Sequence, residues 1–340
     1  MNKPRILWLK PRKGNISIDR VLIAKNLSKK FNIEIIDCSG FAALKTFIYG
    51  LREDFDLIIG TTHLGLILGG LLKLKSQKKF IVDYVDPISQ LRESTPKYIF
   101  PLLYGLIFLE KLVLRIADAV LVVPKYNYKE ISKIRSNVHK VNLCIDLDKF
   151  LNADKKIIEK ARKVLKNAKV NLNNPMIVYT GGFSRIYNLD VLIEVMSYLP
   201  DFQLLMIGGG KLEGELKRIK EDMGLRNVFF LGYQPNQLIP GFLKHCVIGI
   251  TLCEVPRQLK IYEYLAAGLR VIVPESVLTS EDFEFTKYCM GTKLDAKDVA
   301  DSIRIALKMP KKKYRLMRLL DKYSCNKIAE VYGKIIRTLI

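Results

Sequence analysis

The feature that most constrains this chain is an alternation that runs twice. Short apolar runs are separated by stretches of helical length, first at residues 5–9, 33–37, 57–59, 80–83, 119–123 and 140–143. Segments such as 17–30 and 64–75 lie between them with helical patterning. Buried runs alternating with helices predict parallel sheets covered on both faces, because each crossover lays a helix on the sheet. A polar, Lys/Asn-rich stretch at 155–174 interrupts the series, and a second one follows at 176–180, 204–207, 228–231, 247–252, 271–273 and 291–294. The expected fold is therefore α/β, with two doubly wound Rossmann-like domains over 1–155 and 156–323. A C-terminal helix over 324–340 is free to pack back on the first. The 340 residues suit two domains of ordinary size. In such sheets ligands bind beyond the carboxyl ends of the strands, and two facing domains are expected to leave a central cleft there.

Charge narrows the partner. Lys and Arg number 56 against 34 Asp and Glu, a net charge of +22. That excess favours an anionic partner: nucleic acid, an anionic membrane or a phosphorylated small molecule. The basic residues are spread along the chain, apart from clusters at 73–79 and 311–313, and no nucleic-acid-binding signature accompanies them. Nucleic acid is therefore not the expected partner. The six cysteines have no CxxC or CxxH spacing, so reduced, packed thiols are expected rather than disulfides or zinc. With only a short apolar run in residues 1–11, a cytoplasmic protein is expected. The stretch YIFPLLYGLIFLE, 98–110, is too short to span a bilayer. Two readings stand: a buried helix, or a surface that dips into a membrane beside Arg92, Lys97 and Lys111.

One segment carries chemistry. In RQLKIYEYLAAGLRVIVP, 257–274, Gly268 ends a short helix and an apolar strand follows. Lys260 and Glu263 are three apart and share the first turn's face. A helix N-terminus favours an anion, and Lys260 adds a full charge beside it. An ionised Glu263 accepts hydrogen bonds only, which suits a vicinal diol. A diphosphate joined to a ribose presents both features. The competing reading is a surface ion pair.

This segment resembles the nucleotide-sugar-binding motif of family-4-type glycosyltransferases of GT-B fold, with Lys-x-x-Glu-Tyr, small residues, a glycine and a final strand. VYTGGFSRIYNLDVLIEVM (178–196), LLMIGGGKLEGELK (204–217) and NVFFLGYQPNQLIPGFLKHCVIGI (227–250) are similar to the preceding units in order. LEKLVLRIADAVLVV and NLCIDLDKF are similar to the end of that family's first domain. The resemblance implies that Glu263 holds the donor ribose and Lys260 the diphosphate. Gly232 and Tyr233 would line the base, and Gly181 and Gly182 would let the main chain approach the phosphates. Fixed positive charge would stabilise the leaving group, so neither a metal nor another cofactor is implied.

The chain also departs from the pattern. Of the family's two glutamates seven apart, the earlier falls on Val255, with Glu254 one place off; Glu254 reads as a donor-sugar contact or as a loop carboxylate. The family's arginine position is Gly182 and its later lysine falls near Tyr187, so Arg185 would supply the missing charge or lie solvated. VDYVDP holds Asp83 and Asp86 where the family commonly has a histidine, and Asp86 reads as a catalytic candidate or a turn residue. His63, the 12–14 loop RKG, the DLD of Asp146–Asp148 and the GGG of Gly208–Gly210 read as structural rather than catalytic. The expected activity is transfer of a sugar from a nucleotide-diphosphate donor to an acceptor hydroxyl, with retention at the anomeric carbon. The expected acceptor is a lipid-linked glycan at an anionic membrane face, in cell-surface polysaccharide or protein glycosylation. The alternatives are a sugar-nucleotide epimerase or hydrolase of similar fold and, least favoured, a basic nucleic-acid-binding protein.

Overall fold

The computed structural model describes residues 3–11, 18–85, 97–123, 125–281, 283–308 and 313–340. Asp86, Arg92 and the 12–14 loop lie outside the described residues. The chain divides into two compact units, Met1–Cys144 with Lys322–Ile340, and Ile145–Asp321.

The first unit is built on strands β1 (Arg5–Lys10), β2 (Asn32–Asp37), β3 (Leu57–Thr61), β4 (Lys79–Tyr84), β5 (Ala119–Val122) and β6 (Val138–Lys140). They form one parallel sheet in the order β2-β1-β3-β4-β5-β6. Both faces are covered, which explains why β3 and β5 are apolar and buried at almost every position. Helices Ile18–Leu27 and Cys325–Leu339 bury Ile23, Ile328 and Tyr332 with Trp8, Ile59 and Ile81 on one face. On the other, helices Thr62–Ser76 and Phe100–Ile116 bury Leu66, Leu72, Val113 and Leu114 with Leu7, Ile58 and Val82. Helix Ala42–Arg52 packs alongside Thr62–Ser76, and its Gly50 leaves room for Leu72.

Two expectations change here. The sixth strand pairs over Val138–Lys140 rather than 140–143. Val141 is buried and its N–H still bonds to Val122, but the chain then leaves the ladder. The cysteines are not all reduced: Cys144 and Cys325 form a disulfide, with Cα atoms 4.8 Å apart. Their 181-residue separation hides the pairing from local spacing, because only the return of the final helix brings Cys325 beside Cys144. The other four, Cys38, Cys246, Cys253 and Cys289, are free thiols. The apolar 98–110 stretch divides between its two readings. It lies mostly in the helix Phe100–Ile116, whose Leu103 and Glu110 are buried while Leu102, Tyr104 and Phe108 are exposed. No helix among the described residues is long and apolar enough to cross a membrane.

The second unit contains β7 (Met176–Gly182), β8 (Gln203–Gly209), β9 (Val228–Gly232), β10 (Ile248–Ile250), β11 (Arg270–Pro274) and β12 (Cys289–Thr292). Its sheet is also parallel, in the order β12-β11-β10-β7-β8-β9. Chain direction across the sheet reverses between β7 and β10. Crossover helices leave those two strands toward opposite sides, which opens a crevice at their carboxyl ends.

Candidate functional site

The site begins with a close approach of backbones. β7 ends in Gly181–Gly182 and β8 in Gly208–Gly209, paired in register. Gly181 and Gly208 have φ of +139° and +137°, which side chains rarely adopt. A Cβ on Gly208 would sit 1.9 Å from the Gly181 carbonyl oxygen, so glycine is required there. The GGG sequence thus serves packing at the strand ends. In front of Gly182, by contrast, a Cβ would meet nothing within 4 Å, so its main chain borders open space.

Helix Leu259–Ala267 follows β10 and enters the site from the loop 251–258. Gln258 shapes that loop: its side chain accepts from Thr251 Oγ1 at 2.8 Å and donates to the Cys253 and Val255 carbonyls. Tyr264 then fixes the helix to β7, its hydroxyl accepting from the Thr180 N–H at 2.7 Å. Gly268, at φ +83°, ends the helix in the left-handed conformation.

This framework delivers Lys260 against the end of β7. Its Nζ lies 4.0 Å from the ring centroid of Tyr179 and 4.2 Å from that of Tyr187. It sits 2.8 Å from where a Cβ on Gly181 would be. Although the side chain as a whole is half-buried, the ammonium nitrogen is shielded from solvent and has no hydrogen-bond partner. Two aromatic faces attract a cation but accept none of its N–H bonds in the way an oxygen would. Burial pushes its pKa down to about 7, against the opposing pull of Cys253 and Glu263. An ammonium held this way gains most from an anion that returns its lost hydration.

Glu263 is likewise without a hydrogen-bond or ion-pair partner among the described residues, and it does not pair with Lys260. The surface ion-pair reading of the two therefore fails on geometry. Burial pushes the Glu263 carboxyl up to about 7, while Lys149 and Lys260 pull it down. Lys149 was not singled out in the sequence. It lies in the short helix Leu147–Leu151, which Asp146 caps by accepting from the Lys149 N–H at 3.4 Å. Its Nζ donates to Asn236 Oδ1 at 2.6 Å, and its pKa is lowered by burial, with Glu263 raising it. The DLD sequence is thus a helix cap that positions a cation.

The remaining candidates divide. Gly232 ends β9 at φ +64°, and Tyr233 follows it, 76 % exposed, donating its hydroxyl to the Gly209 carbonyl at 3.1 Å. An aromatic face thus stands beside the Gly182–Gly209 pair. Arg185 opens the 3₁₀ turn Arg185–Tyr187; its side chain is 84 % exposed and 3.9 Å from Glu215. Glu254 is exposed in the 251–258 loop and accepts from Ser276 Oγ at 2.9 Å. Asp83, in the first unit, is closed off: Arg20 bonds both its oxygens at 2.9 and 3.0 Å, and Thr61 and Tyr332 donate at 2.8 Å each. It has no accepting capacity left for a substrate. His63 lies in the first turn of the helix Thr62–Ser76. Besides Lys149, sequence reasoning gave no role to Tyr179; its aromatic neighbour Tyr187, three residues past Ser184, was the one visible signal.

Comparison with known proteins agrees with this architecture. Residues 159–318 match the family described as glycosyl transferases group 1. No curated protein matches the chain by sequence. Among solved structures, sucrose-phosphate synthase from Thermosynechococcus elongatus is 15% identical with a TM-score of 0.78, covering 99% of each chain. HepE from Anabaena, in complex with UDP and glucose, is 15% identical with a TM-score of 0.76 over 98% of this chain and 99% of that one. A glycosyltransferase from Rickettsia africae is 16% identical with a TM-score of 0.74 over 100% of this chain and 99% of that one. The fold is that of GT-B glycosyltransferases. The second unit carries a glycosyl transferases group 1 domain, and the chain is a glycosyltransferase.

Proposed function

We propose that the chain transfers a sugar from a nucleotide-diphosphate donor, as a family-4-type enzyme, and that the end of β7 with helix Leu259–Ala267 holds the donor. The single observation carrying this reading is the shielded ammonium of Lys260, which has no hydrogen-bond partner beside open space at Gly182. Lys260 takes the diphosphate, and Gly181 and Gly182 offer their backbone to it. Glu263, once ionised, accepts from the ribose hydroxyls, with Lys149 favouring the ionised form. Tyr233 lines the base beside Gly232. Arg185 adds screened charge from outside, and Glu254 reaches the donor sugar. HepE, of similar fold, has been solved with UDP-glucose, which supports a nucleotide sugar in a framework of this kind.

In this reading the departing diphosphate is stabilised by fixed positive charge from Lys260, worth most where water is excluded. The donor needs no metal and no further cofactor. Retention follows if the leaving phosphate oxygen takes the acceptor proton on the same face, which dispenses with a separate base. The acceptor is a hydroxyl of a lipid-linked glycan, and the protein works at the cytoplasmic face of a membrane, without nucleic acid as a partner. Asp86 is the acceptor-side candidate.

A thermal-shift panel of UDP-, GDP- and ADP-sugars tests the donor reading, because a ligand of the native state raises the melting temperature by mass action. At least one sugar nucleotide should raise it in the wild type and fail to do so in Lys260→Ala. If none shifts the wild type, the donor assignment is wrong. Labelled donor with lipid-linked acceptor should give a labelled glycan; a changed sugar without acceptor would instead mean an epimerase.

A further inference from the structure

The first unit has a face that its own fold does not explain. Helices Ala42–Arg52, Thr62–Ser76 and Phe100–Ile116 lie side by side over one side of the sheet, and their inner residues fill its core. Their outer residues should be polar on a surface meant only for water. They are not. Leu44, Ile48 and Leu51 are exposed on the first helix, Leu64, Leu71 and Leu74 on the second, and Leu102, Tyr104, Phe108 and Leu112 on the third. Spacings such as 44, 48, 51 and 104, 108, 112 place each set on one side of its helix. Phe41, just before the first helix, is fully exposed as well.

The charges on these helices are equally one-sided. Lys45, Arg52, Lys75, Lys111 and Arg115 are exposed among the leucines, and none has an ion-pair partner among the described residues. The three helices contain one acid, Glu110, and it is buried against the Tyr84 hydroxyl. So the outer side of all three helices shows leucine, aromatic rings, lysine and arginine, with no exposed carboxylate. The exposed acids of the 53–54 turn are engaged elsewhere, Glu53 with Arg5 and Asp54 with Lys78. A protein partner of mixed charge would be met by mixed charge. Apolar side chains interleaved with unpaired cations instead suit a surface whose interior is hydrocarbon and whose rim is anionic.

We propose that this three-helix face seats on an anionic lipid bilayer, with its leucines and Phe108 entering the acyl boundary and the five cations meeting headgroup phosphates. This deepens the membrane part of the function proposed above. It does not depend on the donor site, because every residue concerned lies in the first unit.

The test is co-sedimentation of the full chain with phosphatidylcholine vesicles, with and without phosphatidylglycerol, across a salt series. Binding should require the anionic lipid and weaken steeply with salt. Phe108→Glu combined with Leu112→Glu should lower the partition coefficient at least about tenfold, since it removes two apolar contacts and adds two like charges to the lipid's. The same charge change made away from the face, Val331→Glu with Ile340→Glu, should leave binding within about twofold of wild type. Unchanged melting temperatures show that both variants fold, and sugar-nucleotide thermal shifts should persist in both. Equal loss in the two variants, equal binding to neutral vesicles, or no binding at all would overturn the proposal. So would a concentration-dependent dimer that Phe108→Glu with Leu112→Glu abolishes, because the face would then be covered by a second copy.

Discussion

Asp83, buried at the end of β4, and Glu263, half-buried on helix Leu259–Ala267, are carboxylates with opposite fates. Asp83 accepts from Arg20 twice, from Thr61 and from Tyr332, and Trp8 Nε1 donates in turn to Thr61 at 2.8 Å. Glu263 has no partner, and its nearest cations, Lys260 and Lys149, reach it only through space. Leaving a buried polar group unsatisfied destabilises a fold, and native chains rarely tolerate it without a reason. The first cluster is complete and needs nothing from outside; it fastens the final helix to the sheet. The second is incomplete in both signs at once, and a ligand carrying an anion and hydroxyls would complete it. Saturation of hydrogen bonds thus separates the structural acid, Asp83, from Glu263, the acid proposed to bind the donor.

The largest effect should come from the completed cluster. Asp83→Ala leaves the buried Arg20 guanidinium with Asp19 as its remaining counter-charge and strips Thr61 and Tyr332 of their acceptor; it should lower unfolding free energy by about 3–5 kcal/mol, read from denaturant midpoints. Donor affinity of the remaining folded protein should not change; a loss of affinity at intact stability would reverse the assignment. The opposite pattern is expected at the second site. Glu263→Ala and Lys260→Ala should each weaken nucleotide-diphosphate binding by roughly 1–3 kcal/mol, with stability moved by less. Calorimetry and melting curves on the same samples would show the split.

Lys149→Ala should act through Glu263. Without that neighbouring charge the carboxyl titrates higher, so donor binding near pH 7 should be weaker than in the wild type by about 1 kcal/mol, and this deficit relative to the wild type should shrink as pH rises and Glu263 ionises. A deficit independent of pH would mean that Lys149 touches the donor directly. Arg185→Ala should be smallest, within about 0.5 kcal/mol, because its charge is solvated and its link to Glu215 is long.

Much of this contrast was hidden in the sequence, for a physical reason. Apolar runs report burial, so the strands of both sheets were legible to within a few residues. The edge strand β6 was the exception, because Val141 and Leu143 pack inward after the ladder has ended. Lys260 and Glu263 were legible because three-residue spacing on a helix is a local relation. Partners remote in sequence were not. Asp83 is completed by residues 63 positions before it and 249 after it, and nothing in VDYVDP announces them. Lys149 lies more than a hundred residues from Glu263, beside the DLD of Asp146–Asp148, and nothing local to that segment points to a partner so remote. Cys144 and Cys325 were paired by the same return of the final helix that completed Asp83.

The central claim is that Lys260 waits for an anion. Its pKa of about 7 means that much of it is neutral at pH 8 in the free protein, whereas a bound diphosphate favours the charged form. Affinity should therefore fall with rising pH above 7, until the pKa of the complex is reached. Glu263, also near 7, should weaken binding on the acid side by staying protonated. The direct measurement is calorimetric titration of a sugar nucleotide at pH 8 in two buffers of different ionisation enthalpy. The account predicts uptake of up to about one proton per donor bound, abolished in Lys260→Met. Binding without proton exchange in the wild type, or the same exchange in Lys260→Met, would contradict it.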